Sequence, residues 1–336
     1  MGSTCQTADV VDLSALRHRT EHVNGIELHA VELGEGPLVL LVHGFPESWY
    51  SWRYQLPALA EAGYRAVAID VRGYGGSSAP EAIEDYRMLR HVADNVAVVE
   101  ALGEDSAVVV GHDWGAPIAW ASAQLRPDVF RAVAGLSVPF SPAGPTRPTD
   151  AFAAMGGDEE FYISYFQEPG RAEAEIEADV RDWLLGMYFT ASGEGVRAAK
   201  EAGLGPSALI APGGRMQDRF VRPDELPAWL TEDDLDFYVG EFERSGFSGP
   251  LNRYRNVDRD WEDLSVWGYH PIQVPALFVG GSLDGPTRWG SRSIDRFDRT
   301  LPRLTRSEIL PGCGHWVQQE RPDEVNALLL EFLRGL

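Results

Sequence analysis

Residues 106–121 constrain this chain more than any other stretch. A run led by the β-branched residues Val108, Val109 and Val110 meets Gly111-His112-Asp113-Trp114-Gly115, and helix-forming residues follow. The pattern reads as buried strand, tight turn and helix. In the serine version of such a turn, Gly-x-Ser-x-Gly, the bend is so sharp that the nucleophile's neighbours must be small, and its side chain stands clear of the sheet. Here the apex is Asp113. A carboxylate at a helix start is favoured by unpaired N–H groups and by the positive end of the dipole, which keep it ionised. It can then attack carbon without a base to activate it. A plain cap before a helix over 114–126 is the competing account, but a cap does not require glycines at both 111 and 115.

The chain around this turn alternates strands and helices. Asn24-Gly25 between alternating segments over 20–33 predicts a two-residue hairpin at an antiparallel sheet edge. Residues 37–42 are apolar on both faces, as a central parallel strand requires, and end in His43-Gly44-Phe45-Pro46-Glu47. The sequence leaves the isomer of Phe45-Pro46 open and favours a structural role for His43. A helix is expected over 48–62 and a strand over 65–69. The strand closes on a glycine-rich turn in which Asp70 and Arg72 are read as structural. A helix over 86–102 and a strand over 130–138 complete the rhythm, which predicts a mostly parallel, doubly wound α/β sheet.

That rhythm stops after Phe140. Residues 141–148 have the Pro, Gly and Ser content of a linker, and about 120 residues follow with helical patterns but no buried-strand run. They are read as a helical cap over 141–268 inserted into a core of 17–140 and 269–336, behind a tail over 1–16. Within the cap, helices are expected over 173–189 and 231–245, the latter opened by Thr231 and acids on a solvated face, with a loop over 203–215. Strands over 274–281 and 304–310 and a last helix over 323–333 close the chain.

Composition narrows the function classes. A net charge of −22 argues against a nucleic-acid partner, and no apolar run is long enough to span a bilayer. Two cysteines, Cys5 and Cys313, make no disulfide framework, and no signal-peptide pattern is visible, so a cytoplasmic enzyme is expected, with a homodimer as one possible assembly.

In hydrolases whose nucleophile sits on such an elbow, the order along the chain is nucleophile, acid, histidine, and the loop after the third strand supplies an oxyanion-hole N–H. Phe45 holds that loop position. Asp284 follows the strand over 274–281, and His315 lies in Gly312-Cys313-Gly314-His315-Trp316 before the last helix. Cys313, two residues from His315, is read as a small packing residue because the elbow already supplies a nucleophile.

From about Arg17 onward the chain resembles the soluble epoxide hydrolases of the α/β-hydrolase fold. The resemblance rests on His43-Gly44-Phe45-Pro46, the Asp113 elbow, Asp284 and the His315 loop. Two cap segments add to it: residues 161–170, Phe-Tyr-Ile-Ser-Tyr-Phe-Gln-Glu-Pro-Gly, and residues 252–256, Asn-Arg-Tyr-Arg-Asn. It implies that Tyr162 and Tyr254 hold the epoxide oxygen, with Tyr165 the rival for the first position. Asp113 would open the ring to give a hydroxyalkyl ester. His315, oriented by Asp284, would activate the water that cleaves the ester, while the N–H groups of Phe45 and Trp114 meet the oxyanion. Only a small-molecule epoxide and water are implied as partners, with no metal or organic cofactor. A haloalkane-type dehalogenase is the alternative, since it shares fold and nucleophile and Trp114 could hold a halide. Phe45-Pro46 in place of an Asn, and the two tyrosines, argue against it. Fluoroacetate dehalogenases carry a similar loop but tend to have Arg where this chain has Trp114, and a binding-only receptor has no need of Asp113, Asp284 and His315 together.

Overall fold

A computed structural model describes residues 13–268 and 270–336, so most of the N-terminal tail, with Cys5, lies outside the described residues. Eight strands form one sheet: β1 (Arg17–Val23), β2 (Ile26–Leu33), β3 (Leu38–Val42), β4 (Arg65–Ile69), β5 (Ala107–His112), β6 (Phe130–Leu136), β9 (Ala276–Gly281) and β10 (Leu304–Leu310). The order is β1-β2-β4-β3-β5-β6-β9-β10. β1 and β2 pair antiparallel, β2 runs antiparallel to β4, and every other pair is parallel. The hairpin turns at Asn24 and Gly25, whose φ angles of 48° and 79° are the two positive values a type I′ turn needs.

β3 and β5 sit mid-sheet with every residue buried, so their apolar residues serve both faces. Leu40, Val42 and Val109 pack with Val92, Val98 and Ile118 from the helices Met88–Ala101 and Gly115–Leu125. Val39, Leu41, Val108 and Val110 pack with Leu56, Leu59, Leu329 and Phe332 from the helices Gln55–Glu61 and Pro322–Arg334. Alternation along two strands thus builds both layers of the sandwich.

Between β6 and β9 the chain leaves the sheet. This segment is largely helical and contains β7 (Glu160–Phe161) and β8 (Leu209–Ile210), a short antiparallel pair that apolar-run reading misses. Three other expectations change. The helix expected over 48–62 is a 3-10 turn, Trp49–Trp52, followed by Gln55–Glu61, because Trp49 N–H donates to Asp70 and both tryptophans are pulled into the core. The helix expected over 173–189 is two helices, Arg171–Ile176 and Val180–Ala191, because the Asp179 side chain caps a new start by accepting from Asp182 N–H at 3.0 Å. Within the helix Glu232–Ser245, Asp234 is not on a solvated face: it completes a capping box with Thr231 and is 5 % exposed, 3.1 Å from Arg53 Nε. Tyr238 and Tyr188 add bonds to Ser51 and to the Pro46 carbonyl, so the inserted helices are tied to the loop that follows β3. No described helix is long and apolar enough to cross a membrane.

Candidate active site

The elbow's shape comes from its glycines. A Cβ on Gly111 would lie 2.0 Å from the Gly115 carbonyl oxygen, and one on Gly115 would lie 1.9 Å from that of Val42. With both positions bare, helix Gly115–Leu125 closes onto β5 and β3, and Asp113 is held at φ 49°, a left-handed conformation that a side-chain-bearing residue rarely takes. Asp113 is not the helix's cap. Its Oδ1 accepts the Phe45 N–H at 2.8 Å, from the loop that follows β3. Gly44 permits that approach, since a Cβ there would stand 2.4 Å from Asp113 Oδ1 and 2.6 Å from Trp114 N. The Phe45–Pro46 peptide in this loop is cis.

His315 bridges the two carboxylates. Its Nε2 is 3.3 Å from Asp113 Oδ2, and its Nδ1 is 2.8 Å from Asp284 Oδ1. All three residues are buried, Asp284 completely. Burial alone would lower the histidine's pKa, but Asp284 and Asp113 outweigh it and raise it well above the usual value. Both carboxylates thus favour the protonated ring.

The carboxylate of Asp284 has a set of donors that sequence reading did not find. Ser137 Oγ and Thr287 Oγ1 each lie 2.7 Å from Oδ2, and Thr287 N–H donates to the same oxygen at 3.1 Å. A second pair, Glu47 and His112, lies beside Phe45 and Asp113 in the same two segments, and nothing in their local pattern marks it. Buried Glu47 takes up the N–H of Gly44, the side-chain amides of Gln318 and Gln319, and His112 Nδ1. Burial pushes its carboxyl up, and His112 and the Gly44 N–H pull it down to about 2. His112 Nε2 donates to the His315 carbonyl at 2.8 Å, which links the Gly44–Phe45 loop to the histidine loop.

A cavity of about 190 Å³ opens over these groups. Asp113 and His315 form its floor, and its walls include Tyr162, Tyr254, Met187 and Trp289. The Tyr162 and Tyr254 rings are 6.1 Å apart, and Tyr254 meets the Trp114 indole edge-on at 5.1 Å. Burial and the Asp113 charge raise both phenols' pKa values, so they remain donors. Tyr165 lies elsewhere: its hydroxyl donates to Glu175 Oε2 at 2.5 Å, inside the helical layer.

The residues expected to be structural hold the surrounding turns. His43 bonds the Gly44 carbonyl through Nδ1 and accepts Val71 N–H at Nε2. Asp70 accepts from Trp49 and Gly76 N–H, and Arg72 pairs with Asp94. Cys313 is buried, and burial pushes its thiol far up, which leaves no thiolate to attack anything. Among the described residues, no three His, Cys, Asp or Glu side chains gather as a metal-ligand set.

The site thus brings the Asp113 carboxyl group, the His315 imidazole beside it and two neutral phenols to the lining of one small cavity. Residues 37–322 match the family model of the α/β hydrolase fold. The chain is 47 % identical to epoxide hydrolase B of Mycobacterium tuberculosis, over 95 % of this chain and 98 % of that one. It is 46 % identical to epoxide hydrolase A of the same organism, over 96 % and 99 %. A solved epoxide hydrolase from an endophytic Streptomyces superposes with a TM-score of 0.93 at 63 % identity, over 96 % of each chain.

Proposed function

The chain belongs to the epoxide hydrolases of the α/β-hydrolase fold, and we propose that Asp113, His315 and Asp284 carry its reaction, with Tyr162 and Tyr254 as donors to the epoxide oxygen. Two oxygens of one carboxylate take different parts. Oδ1 is occupied by the Phe45 N–H, so Oδ2 is the attacking atom. Its bond to a ring carbon forms as the carbon–oxygen bond of the epoxide breaks, and the electron pair passes to the ring oxygen. Tyr162 and Tyr254 stabilise that oxygen and supply the proton that makes it a hydroxyl.

Ester formation then changes the histidine. Asp113 loses its charge, and one of the two carboxylates that hold the proton on His315 is gone. The imidazolium passes its proton to the phenolate that ring opening leaves, and the neutral ring then takes one from the attacking water, while Asp284 stabilises the cation that re-forms. Water adds to the ester carbonyl carbon, and the developing charge falls on Oδ1, where the Phe45 N–H already points. The N–H of Trp114 is the second donor in this reading; its nitrogen stands at the same opening beside Gly44. Collapse breaks the bond from the carbonyl carbon to Oδ2, which takes the proton from His315 and leaves as a hydroxyl of the diol; the carboxylic acid that remains returns a proton to His315 and the carboxylate is regenerated.

The observation that carries this reading is the shared cavity: Asp113 and His315 at the floor, two phenols on the wall, and Tyr165 tied to Glu175 outside it. The inserted helices act as a cap, since they bring both phenols to the cavity. The low cysteine content supports a cytoplasmic enzyme, and a homodimer is the assembly to test by light scattering. Turnover on styrene oxide, an aliphatic terminal epoxide, a fatty-acid epoxide and a chloroalkane tests the assignment. Diol from an epoxide without chloride release is expected, and chloride release without diol would favour the dehalogenase.

A further inference from the structure

Three described residues other than glycine have positive φ: Asn24, Asp113 and Ser137. Asn24 makes the hairpin turn, a place where Asn is at home, and Asp113 is the elbow's apex. Ser137 has no such account. It follows the last residue of β6 with φ 70°, and Val138 N–H bonds the Leu136 carbonyl across it at 2.8 Å. An i to i+2 bond around a positive φ is the rarer, strained form of γ-turn. Such a conformation persists only where the surroundings hold it.

The strained turn aims one hydroxyl. Ser137 is completely buried, and its Oγ donates to Asp284 Oδ2 at 2.7 Å while standing 2.9 Å from His315 Nδ1. One further bond fixes the turn itself, from Ser137 N–H to the Val279 carbonyl at 2.8 Å, and the single Thr287 hydroxyl proton lies between the Ser137 carbonyl and Asp284 Oδ2, each 2.7 Å from Oγ1. We infer that Ser137 is a positioning residue for water activation, holding the His315–Asp284 pair in line during ester hydrolysis. The inference rests on the roles proposed above for Asp113 and His315.

Timing gives the residue its purpose. In the resting enzyme the His315 ring is held from both sides, by Asp113 at Nε2 and by Asp284 at Nδ1. Once Asp113 is esterified, the attraction at Nε2 is lost, and only the Nδ1 side still fixes the ring. There the N–H is shared between Asp284 Oδ1 and Ser137 Oγ, while the Ser137 hydroxyl and Thr287 occupy Oδ2 and leave Oδ1 aimed at the imidazole. Removal of the hydroxyl should therefore slow ester hydrolysis and spare alkylation.

Ser137→Ala and Ser137→Gly separate the hydroxyl from the backbone, because both lack the oxygen but only glycine takes φ 70° without strain. The readouts are alkylation and hydrolysis rates in single turnover, ester accumulation by intact mass, and the thermal midpoint. Both variants should hydrolyse the ester on the order of tenfold more slowly, as expected for loss of one hydrogen bond to a charged pair. Both should accumulate ester at steady state, with the glycine variant at least as stable as the alanine one. Hydrolysis restored by glycine alone, wild-type hydrolysis in both variants, or equal slowing of both steps would overturn the role of Ser137. A wild-type enzyme that never forms an ester would instead overturn the reading of Asp113 on which it rests.

Discussion

His315 Nε2 stands 3.3 Å from Asp113 Oδ2, so the group proposed to act as base is, before reaction, the counterion of the group proposed to attack. The proposed roles make the proton on His315 depend on whether Asp113 is free or esterified. The pH behaviour of the two half-reactions follows from that.

In the free enzyme the His315 pKa lies well above the ordinary histidine value. In the ester it should fall, since the Asp113 charge no longer contributes. Hydrolysis needs the neutral ring, so its single-turnover rate should be full above the ester-form pKa and drop as pH falls through it. That kinetic pKa should lie below the free-enzyme value read from the imidazole by NMR; equal values would remove the link. The stability effect has the opposite sense. A pKa raised on folding contributes stability that is complete below about 6.5 and is lost as pH rises through the folded value. Thermal midpoints of the wild type and of His315→Gln should therefore converge toward alkaline pH.

His315→Gln should stop the second half-reaction and spare the first, because attack by Asp113 does not pass through the imidazole. The protein should gain the mass of one whole epoxide on the peptide that contains Asp113. Full turnover with no adduct would take His315 out of the mechanism.

The oxygen delivered to the diol in the first turnover should come from Asp113. With excess enzyme in heavy-oxygen water, label should enter the protein and not the product. Label in the first diol would mean that water attacks the ring directly.

Asp234 gives a stability test remote from the chemistry. Arg53 is 2 % exposed and lies 3.1 Å from this carboxylate. Asp234→Ala leaves that cation without its charge partner, although the bonds to Gln319 and the Trp229 carbonyl remain. Loss of one partner of a buried pair typically costs about 3–5 kcal/mol, readable as a shift in the denaturant midpoint. A loss under about 1 kcal/mol would place the pair among surface bridges instead.

The parts of this site that sequence reading finds are those defined by local pattern or by order along the chain. Asp113 is marked by glycines two residues to either side, and Asp284 and His315 by following it in the right order at a strand end and in a loop. Ser137 carries no such mark: it meets Asp284 because β6 and β9 are neighbours in the sheet and because a γ-turn follows β6, and neither fact is local. Thr287 meets Asp284 locally, as the third residue of the short helix that Asp284 caps. The three acids that open the helix at Glu232 mostly mark its solvated face, as Glu232 and Asp233 do, and Asp234 departs from that because Arg53 arrives from a distant segment. Tyr162 and Tyr165 share a single helical turn, and what separates them is Glu175, reaching Tyr165 from the next helix.

The two tyrosines, as the proposed donors to the epoxide oxygen, are the residues to test against a dehalogenase. If both phenols donate to one oxygen, Tyr162→Phe and Tyr254→Phe should each leave partial activity, because the other donor remains. Loss of a donor to developing charge costs on the order of 3 kcal/mol, or roughly a hundredfold in rate. The double variant should be far worse, and not by a simple product, since the two act on the same atom. The loss should fall on ester formation, because the phenols face the leaving oxygen and the ester carbonyl is served by Phe45. Quenching of Trp114 fluorescence can report that step, as its indole lies 5.1 Å from the Tyr254 ring, beside Asp113. Tyr165→Phe is the control: it should alkylate at the wild-type rate yet lose about 1–3 kcal/mol of stability, since Glu175 loses a buried donor. A double Phe variant that forms ester at the wild-type rate would show that the epoxide oxygen is held by something other than these phenols. Alkylation lost in Tyr165→Phe and kept in Tyr162→Phe would move the first donor to Tyr165.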